Sequence, residues 1–150
     1  MNIRRATPAD LEHLAPLFDA YRQFYEKPSN PALARSFLSE RLARSESVIF
    51  LAFDAEQRAI GFTQLYPSFS SVSAGRTFVL NDLFVSPDAR RSGAGAALLQ
   101  AAVDFGRTAN AIELELSTAM SNHGAQALYE REGWKRDQEF FVYRLRLQSS

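Results

Sequence analysis

The sequence contains no cysteine. Disulfides, a thiolate nucleophile and cysteine-ligated metals are therefore excluded. Its two histidines, His13 and His123, are far apart and have no partner at ligand spacing, so we expect no metal site. A large charge of one sign is also lacking, because seventeen basic residues balance seventeen acidic ones. This balance argues against a nucleic-acid partner and against binding to a membrane.

A long apolar run is missing as well. The chain opens Met1-Asn2-Ile3-Arg4-Arg5, which does not resemble a secretory signal, and we expect a cytoplasmic protein. Apolar residues nevertheless make up 46% of the 150 residues, enough for the core of one domain over residues 1–150.

The apolar periodicity predicts an α/β fold with a central mixed sheet. Strands are predicted over 2–6, 48–53, 60–66, 77–85, 112–116 and 140–147, and helices over 8–25, 33–42, 96–105 and 122–132. Thr7, Asn30 and Asn122 are the predicted helix caps. The serine-rich stretch 68–75 predicts a mobile loop, and the aromatic last strand suggests pairing with a second subunit, hence a homodimer.

One glycine-containing turn, Arg90-Arg91-Ser92-Gly93-Ala94-Gly95, lies between a predicted strand and a predicted helix. A helix N-terminus offers unpaired N–H groups and a positive dipole, and glycine lets a ligand approach the backbone. This arrangement suits an anion such as a pyrophosphate. The Walker lysine is absent, and Leu98 replaces the third glycine of the dinucleotide fingerprint. A tight turn that binds nothing is the alternative.

Two segments together resemble the GCN5-related N-acetyltransferase (GNAT) family. Arg90-x-x-Gly93-x-Gly95 resembles the acetyl-CoA motif of that family, and the preceding strand 80–85 resembles its fourth strand. Residues 122–134 are similar to its Asn-x-x-Ala-x-x-Leu-Tyr segment, which ends in Gly-Trp here. The resemblance implies a single-domain acyl-CoA N-acyltransferase fold, with a splayed mixed sheet flanked by helices. It also implies acetyl-CoA as co-substrate.

The resemblance also implies which residues bind acetyl-CoA. The backbone amides of Ser92, Gly93, Ala94, Gly95 and Ala96 would hold the pyrophosphate. Arg90 and Arg91 would pair with phosphate, although such arginines are usually just solvated. Leu83 and Val85 would pair with the pantetheine arm as an added strand does. An amide near Phe84 would polarise the thioester carbonyl, and Asn122 would bind near the pantetheine end.

Tyr129 occupies the position at which many members of the family carry a tyrosine. The resemblance implies a general acid that protonates the departing thiolate. A phenol has a reference pKa of about 10 and is protonated at neutral pH. The alternative is an aromatic side chain that only packs in the core.

Asp82 interrupts an apolar strand. Strict alternation would place Phe78, Leu80, Asp82 and Phe84 on one face, where a carboxylate without a partner is costly. It would either turn to water at a bulge or face the cleft, where it would hold a cationic amine or relay its proton. The family has a bulge in this strand.

The expected acceptor is the amine of a small molecule. The run Leu80-Asn81-Asp82-Leu83-Phe84-Val85 is similar to the strand of diamine acetyltransferases, and 122–129 looks like the yeast histone and polyamine acetyltransferases. Asn81 replaces the first of two acids, so a smaller primary amine or an amino acid fits as well as a polyamine. Tyr21, Tyr25 and Glu115 are weaker substrate candidates. An acyl-CoA sensor without turnover and a protein lysine or N-terminal acetyltransferase remain alternatives.

Overall fold

The computed structural model describes residues 1–149, which form two compact units, 1–117 and 118 onward. The first unit contains five strands and three helices. Its strands are β1 Asn2–Arg5, β2 Val48–Phe53, β3 Ala59–Ser70, β4 Gly75–Val85 and β5 Glu113–Leu116, and its helices are α1 Leu11–Phe24, α2 Pro31–Ala43 and α3 Ala94–Thr108. Short 3-10 turns precede α1 and α3. The second unit contains α4, His123–Arg131.

The five strands form one sheet in the order β1-β2-β3-β4-β5. The first three pairings are antiparallel, and β5 pairs parallel to β4. A parallel neighbour requires a crossover connection, which α3 provides here. The α/β class and the mixed sheet expected from the sequence are thereby confirmed.

Helices cover both faces of this sheet. Phe18 of α1 stacks on Phe37 of α2 with ring centroids 5.5 Å apart, and both belong to the cluster around the buried Phe62 of β3. The neighbouring Gly61 faces the other way, because an added Cβ there would lie 3.4 Å from Leu98 of α3. Successive residues of a strand point to opposite faces, so α1 and α2 lie on one side of the sheet and α3 on the other.

The predicted helix starts are confirmed at atomic detail. The side chain of Asn30 accepts a hydrogen bond from the N–H of Leu33 at 3.1 Å, which caps α2. At the other predicted start, the N–H of Thr7 donates to Asp10 at 2.8 Å. Arg4 also donates to both carboxylate oxygens of Asp10, at 2.7 and 2.8 Å, an ion pair that the periodicity did not reveal.

Half of the serine-rich stretch is strand, so a loop over the whole of 68–75 is wrong. Strands β3 and β4 stay paired as far as Ser70 and Gly75, leaving a turn of four residues. The guanidinium of Arg76 lies 4.0 Å from the ring centroid of Phe69. Cross-strand pairing of this kind stabilises strands whose own residues have weak strand propensity.

The second unit begins with a capped helix, as predicted. Asn122 accepts from the N–H of Ala125 at 3.2 Å, and Gly133 follows α4 with φ of +94°. The strand predicted over 140–147 is wrong: residues 135–149 form neither helix nor strand. The alternating apolar pattern is present there, but a strand also needs a neighbour to bond with its backbone.

Asp19 provides a test of how α1 is tied to the start of α2. It is 7% exposed and accepts from Ser29 Oγ and the N–H of Asn30, each at 2.7 Å. These hydrogen bonds, that of Ser29 first, hold the pKa of the Asp19 carboxyl below its ordinary value. A lowered pKa contributes stability above the unfolded value, near pH 4, and loses it as the pH falls.

We therefore expect Asp19→Ala to lower the free energy of unfolding at pH 7 by about 1–3 kcal/mol, because donors lose a buried acceptor. The difference from the wild type should shrink below about pH 4. Urea denaturation of both proteins at pH 7 and below about pH 4 measures this difference in the free energy of unfolding. Asp104→Ala, which removes an exposed carboxylate of α3 that accepts from Gln100, should change stability by less than about 0.5 kcal/mol. Equal losses in the two variants would contradict the assignment.

Candidate functional site

A β-bulge in β4 shapes the centre of the first unit. Asp82 is opposite Gln64 and Leu80 is opposite Leu65, so Asn81 is one residue in excess. An extra residue reverses the alternation of side chains beyond it. The prediction that residues 78, 80, 82 and 84 share a face is therefore wrong. Phe78 contacts Phe105 of α3 at 5.2 Å, whereas Phe84 lies on the α1 side.

The bulge does not turn Asp82 to water, because the residue is 3% exposed. Its carboxylate accepts from Gln64 Nε2 at 2.6 Å and from Asn81 Nδ2 at 3.0 Å. Both donors are neutral, and in residues 1–149 no lysine or arginine forms an ion pair with Asp82. Gln64 is itself fully buried, and its Oε1 has no hydrogen-bond partner there. A buried anion beside an unpaired carbonyl oxygen suits a cationic ligand.

Sequence reasoning missed Gln64. It follows Thr63 in a run that otherwise predicts a buried strand, and a polar residue in such a run is the available signal. Thr63 is involved too, since its hydroxyl donates to the backbone oxygen of Asp82 at 2.8 Å.

Two tyrosines, Tyr21 and Tyr66, lie near the Asp82 carboxylate. Tyr21 packs edge-on against Phe62 and Phe84, and its hydroxyl lies 3.5 Å from the backbone oxygen of Asn81. Burial, and then the charge of Asp82, raise the pKa of Tyr21, and the same two causes raise the pKa of Tyr66 to about 12. Both phenols therefore stay protonated at neutral pH.

The other weak substrate candidates lie at different places. Tyr25 is half-exposed and contacts the ring of Tyr21 at 5.2 Å, so it extends the aromatic cluster outward. Glu115 is exposed on β5, in register with Val79, three residues before Asp82.

The strand β4 has an open edge beyond the bulge. Its pairing with β5 ends at Leu80 in the part of the chain described. Toward β3, the N–H of Ser86 donates to Ile60 at 2.8 Å. Because N–H groups alternate sides along a strand, those of Leu83 and Val85 point to the open edge. An extended ligand could pair with them as a further strand.

The glycine turn ends at the N-terminus of α3. Gly93 has φ of +87° and precedes Ala94, the first helical residue. Helical bonding starts with Ala97, whose N–H donates to Gly93 at 3.0 Å. The N–H groups of residues 94–96 precede that bond and are available to an anion, apart from a long contact of Ala94 with Ser92 Oγ at 3.4 Å.

The two arginines of the motif differ in environment. Arg90 Nε donates to the backbone oxygen of Val85 at 3.1 Å, and its guanidinium lies within 6 Å of the ring centroids of Phe24 and Phe84. Arg91 is exposed and has φ of +66°, a conformation that non-glycine residues rarely adopt. Both arginines are exposed, but Arg90 ties the turn to the end of β4.

The second unit contains the remaining predicted residues. Tyr129 is half-buried on α4, with its ring centroid 6.3 Å from that of Trp134. Asn122 uses its side-chain oxygen to cap the same helix. Within residues 1–149 no group of three potential metal ligands comes together, and no helix is long and apolar enough to cross a membrane.

Comparison with known proteins gives a consistent result. Residues 14–134 match the model of the acetyltransferase (GNAT) family. An uncharacterised N-acetyltransferase of Bacillus subtilis, YhfO, is 48% identical over 95% of both chains. A probable acetyltransferase of Haemophilus influenzae is 34% identical over 98% of this chain and 99% of its own.

Solved structures agree with these matches. The crystal structure of a probable acetyltransferase, 46% identical, superposes with a TM-score of 0.95 and covers both chains completely. An aminoglycoside N-acetyltransferase, AAC(6')-Iy, solved in complex with CoA, is 22% identical. It has a TM-score of 0.81 over 97% of this chain and 94% of its own. At 22% identity, this similarity establishes a shared fold alone.

Two substitutions at Gly93, one to aspartate and one to asparagine, test the anion site, because their side chains have the same shape and differ in charge. Asparagine and aspartate both tolerate a positive φ, and an added Cβ at Gly93 meets nothing within 4 Å. We expect Gly93→Asp to weaken acetyl-CoA binding by at least about 10-fold, because a carboxylate repels the phosphates.

Gly93→Asn is the uncharged isostere of Gly93→Asp. Its affinity for acetyl-CoA should be within about 3-fold of that of the wild type. Isothermal titration calorimetry on folded protein measures both affinities. If the two variants lose the same affinity, charge at this turn is irrelevant and the anion site is refuted.

Proposed function

We propose the amine of a small molecule as the acceptor for this protein, which belongs to the acetyltransferase (GNAT) family and is an acetyl-CoA-dependent N-acetyltransferase. One observation carries the proposal: Asp82 is a buried carboxylate whose hydrogen-bond donors, Gln64 and Asn81, are neutral, with the half-buried Tyr21 and Tyr66 nearby. Such a carboxylate favours a cation beside it. The reaction requires an amine as acceptor, and an alkylammonium group is the protonated form of such an amine.

The proposed donor site combines the glycine turn with the open edge of β4. The amides of residues 92–96 hold the pyrophosphate, with Arg91 beside it and Arg90 fixing the turn. The amides of Leu83 and Val85 pair with the pantetheine arm, and the amide of Leu83 polarises the thioester carbonyl, because the N–H of Phe84 points toward β3. The helix N-terminus and the alternation of N–H groups along β4 support this assignment.

The chemistry proposed is a direct transfer. Asp82 binds the ammonium group and accepts its proton through water as the amine becomes a nucleophile. The nitrogen then bonds to the acetyl carbon, the carbon–sulfur bond breaks, and the nitrogen loses its second proton through water, which restores the phenol of Tyr129 once that residue has given up its own proton. Tyr129 donates its proton to the departing thiolate, an assignment that rests on its motif position. The donor supplies an activated thioester, so no covalent enzyme intermediate is needed.

The identity of the amine is a finer proposal. We propose that the acceptor is one of three kinds of molecule: a small primary amine, an amino acid or a polyamine. Tyr21, Tyr25 and Asn81 would contact the rest of the molecule, Glu115 would be a remote base, and Asn122 would bind near the pantetheine end. The named activity of the aminoglycoside acetyltransferase supports a small-molecule acceptor. A sensor without turnover needs no buried carboxylate, and a protein acceptor needs no aromatic enclosure, so both are less well supported.

We also propose that the two compact units act as one domain, because the family match runs from 14 to 134 through both. We propose a homodimer, because the aromatic side chains of residues 140–147 are exposed, and a cytoplasmic location, which rests on the composition alone.

The acceptor site predicts a selective kinetic defect. In Asp82→Asn the charge is lost but the volume is kept, so the KM for the amine should rise about 10- to 100-fold, the loss expected for one charged hydrogen bond. The KM for acetyl-CoA should change by less than about 2-fold. Steady-state kinetics with a panel of amines measures both.

The exposed Asp88 provides the matched control for that variant. Asp88→Asn should leave both KM values unaltered. A sensor would release no thiol with any amine, and a general effect of Asp82→Asn on both KM values would remove Asp82 from the acceptor site.

Tyr129→Phe tests the general acid. The ring and its packing on Trp134 remain, so the fold should survive. We expect kcat to fall about 10- to 1,000-fold, within the range for a lost proton donor. Acetyl-CoA affinity should stay nearly constant, because the hydroxyl acts only as charge builds on sulfur. Tyr143→Phe removes the hydroxyl of an exposed tyrosine and should keep wild-type kcat. An unaltered kcat in Tyr129→Phe would make this residue a packing aromatic.

A further inference from the structure

The side chain of Gln64 carries a hydrogen-bond acceptor that lacks a donor in the protein. Gln64 is fully buried, and its Oε1 has no hydrogen-bond partner within residues 1–149. A buried carbonyl oxygen without a donor costs free energy, and such an atom in a folded protein calls for an explanation. The position of Gln64 offers one, because this residue lies directly opposite Asp82 on the neighbouring strand.

Asp82 fixes the orientation of the Gln64 amide. The Nε2 atom of Gln64 donates to the Asp82 carboxylate at 2.6 Å. A carboxylate can only accept hydrogen bonds, so a reversed amide would lose this bond and bring two oxygens together. Oε1 is bonded to the same carbon atom as Nε2 and therefore lies beside the carboxylate. Two acceptors, one charged and one neutral, are thus adjacent on the face of the sheet that Phe62 shares with α1.

The carboxylate of Asp82 can still accept further hydrogen bonds. Asn81 Nδ2 donates to one of its oxygens at 3.0 Å, and Gln64 donates to the other. Each carboxylate oxygen has two lone pairs, so these two amides use only part of the capacity. An incoming N–H group therefore finds an acceptor at Asp82 and a second acceptor at Gln64 Oε1.

We propose, on the basis of the acceptor site assigned above, that Gln64 Oε1 accepts one N–H of the substrate amine and selects amines that have two. The attacking amine is neutral. A neutral primary amine has one carbon substituent, two N–H bonds and one lone pair. One N–H donates to the Asp82 carboxyl, which keeps acceptor capacity even when protonated, and the other donates to Gln64. The lone pair is then left for the acetyl carbon.

A secondary amine meets these two acceptors with one donor too few. Its neutral form has a single N–H, so either Asp82 or Gln64 Oε1 stays unpaired while the nitrogen attacks. A site that hydrogen-bonds a group of its substrate strongly rejects an analogue without that group, because a buried polar atom of the protein is left unpaired. A methyl group on the carbon next to the nitrogen has no such effect, since both N–H bonds remain.

Two isomeric substrates test this role on the full-length chain. Both derive from the amine of the panel that is acetylated fastest: one carries an extra methyl group on the nitrogen, and the other carries it on the adjacent carbon. The wild type should prefer the C-methyl isomer about 10- to 100-fold in kcat/KM, the cost of one unpaired buried acceptor. The rate of thiol release at several amine concentrations measures both values.

The variants Gln64→Met and Gln64→Glu separate hydrogen bonding from shape, because both keep the length of the side chain. Methionine has no comparable acceptor, so the preference should fall to within about 3-fold. A glutamate beside Asp82 shares one proton with it, since two adjacent carboxylates do not both ionise readily. Its other oxygen still accepts, so the preference should persist. Each preference compares two substrates on one protein and is independent of the fraction of that protein that is folded.

Thr63→Val is the matched control on the same pair of strands. It removes the hydroxyl that donates to the backbone oxygen of Asp82 at 2.8 Å but leaves Gln64 Oε1 in place. Its overall rate can change, but its preference between the isomers should equal that of the wild type.

A wild type without a preference, or an equal preference in the wild type and Gln64→Met, would overturn the role of Gln64 and leave the proposed acceptor site intact. Loss of the preference in Gln64→Glu as well would also overturn it, because the amide would then matter only as the donor to Asp82. If no amine releases thiol, the proposed function is refuted, and the role of Gln64 with it.

Discussion

One extra residue in β4 determines most of what is distinctive in this sheet. The bulge at Asn81 reverses the side-chain alternation, so that Phe78 faces α3 while Asp82 and Phe84 face α1. Without it, Asp82 would lie on the α3 face with Phe78. The hydrogen bond of 2.6 Å from Gln64 to Asp82 closes the bulge across the two strands. Beyond this point β4 has no second neighbour in the described chain, so a buried carboxylate and an open backbone edge arise from the same irregularity.

Local chemistry made much of the fold predictable. The caps Asn30 and Asn122 lie where a polar side chain precedes an apolar repeat, and both accept a backbone N–H three residues on. Strand β2 runs over Val48–Phe53, as its continuous apolar run predicted. The glycine turn lies between strand and helix because Gly93 takes a positive φ that other residues rarely adopt. Each of these signals acts within a few residues of chain.

The features that escaped prediction depend on pairing between distant segments. Periodicity cannot reveal a bulge, since the extra residue is defined only against Gln64 on another strand. For the same reason Gln64 looked like an ordinary strand residue, and Ser68–Ser70 looked like a loop although Arg76 and its neighbours pair with them. The error at 140–147 is the converse case. The pattern of a strand is present, but the described chain supplies no partner for it.

The open edge of β4 offers main-chain N–H groups to a ligand. Binding to these groups does not depend on which side chains the strand carries. The N–H groups of Leu83 and Val85 are independent of the side chains that these positions carry, and among the common amino acids only proline removes such a donor. Under the proposed assignment, side chains along this edge can therefore change while acetyl-CoA is still bound. The buried carboxylate opposite Gln64 has no such freedom. Under the same proposal, a few buried side chains select the molecule that is modified, while the main chain of β4 keeps the same acetyl donor.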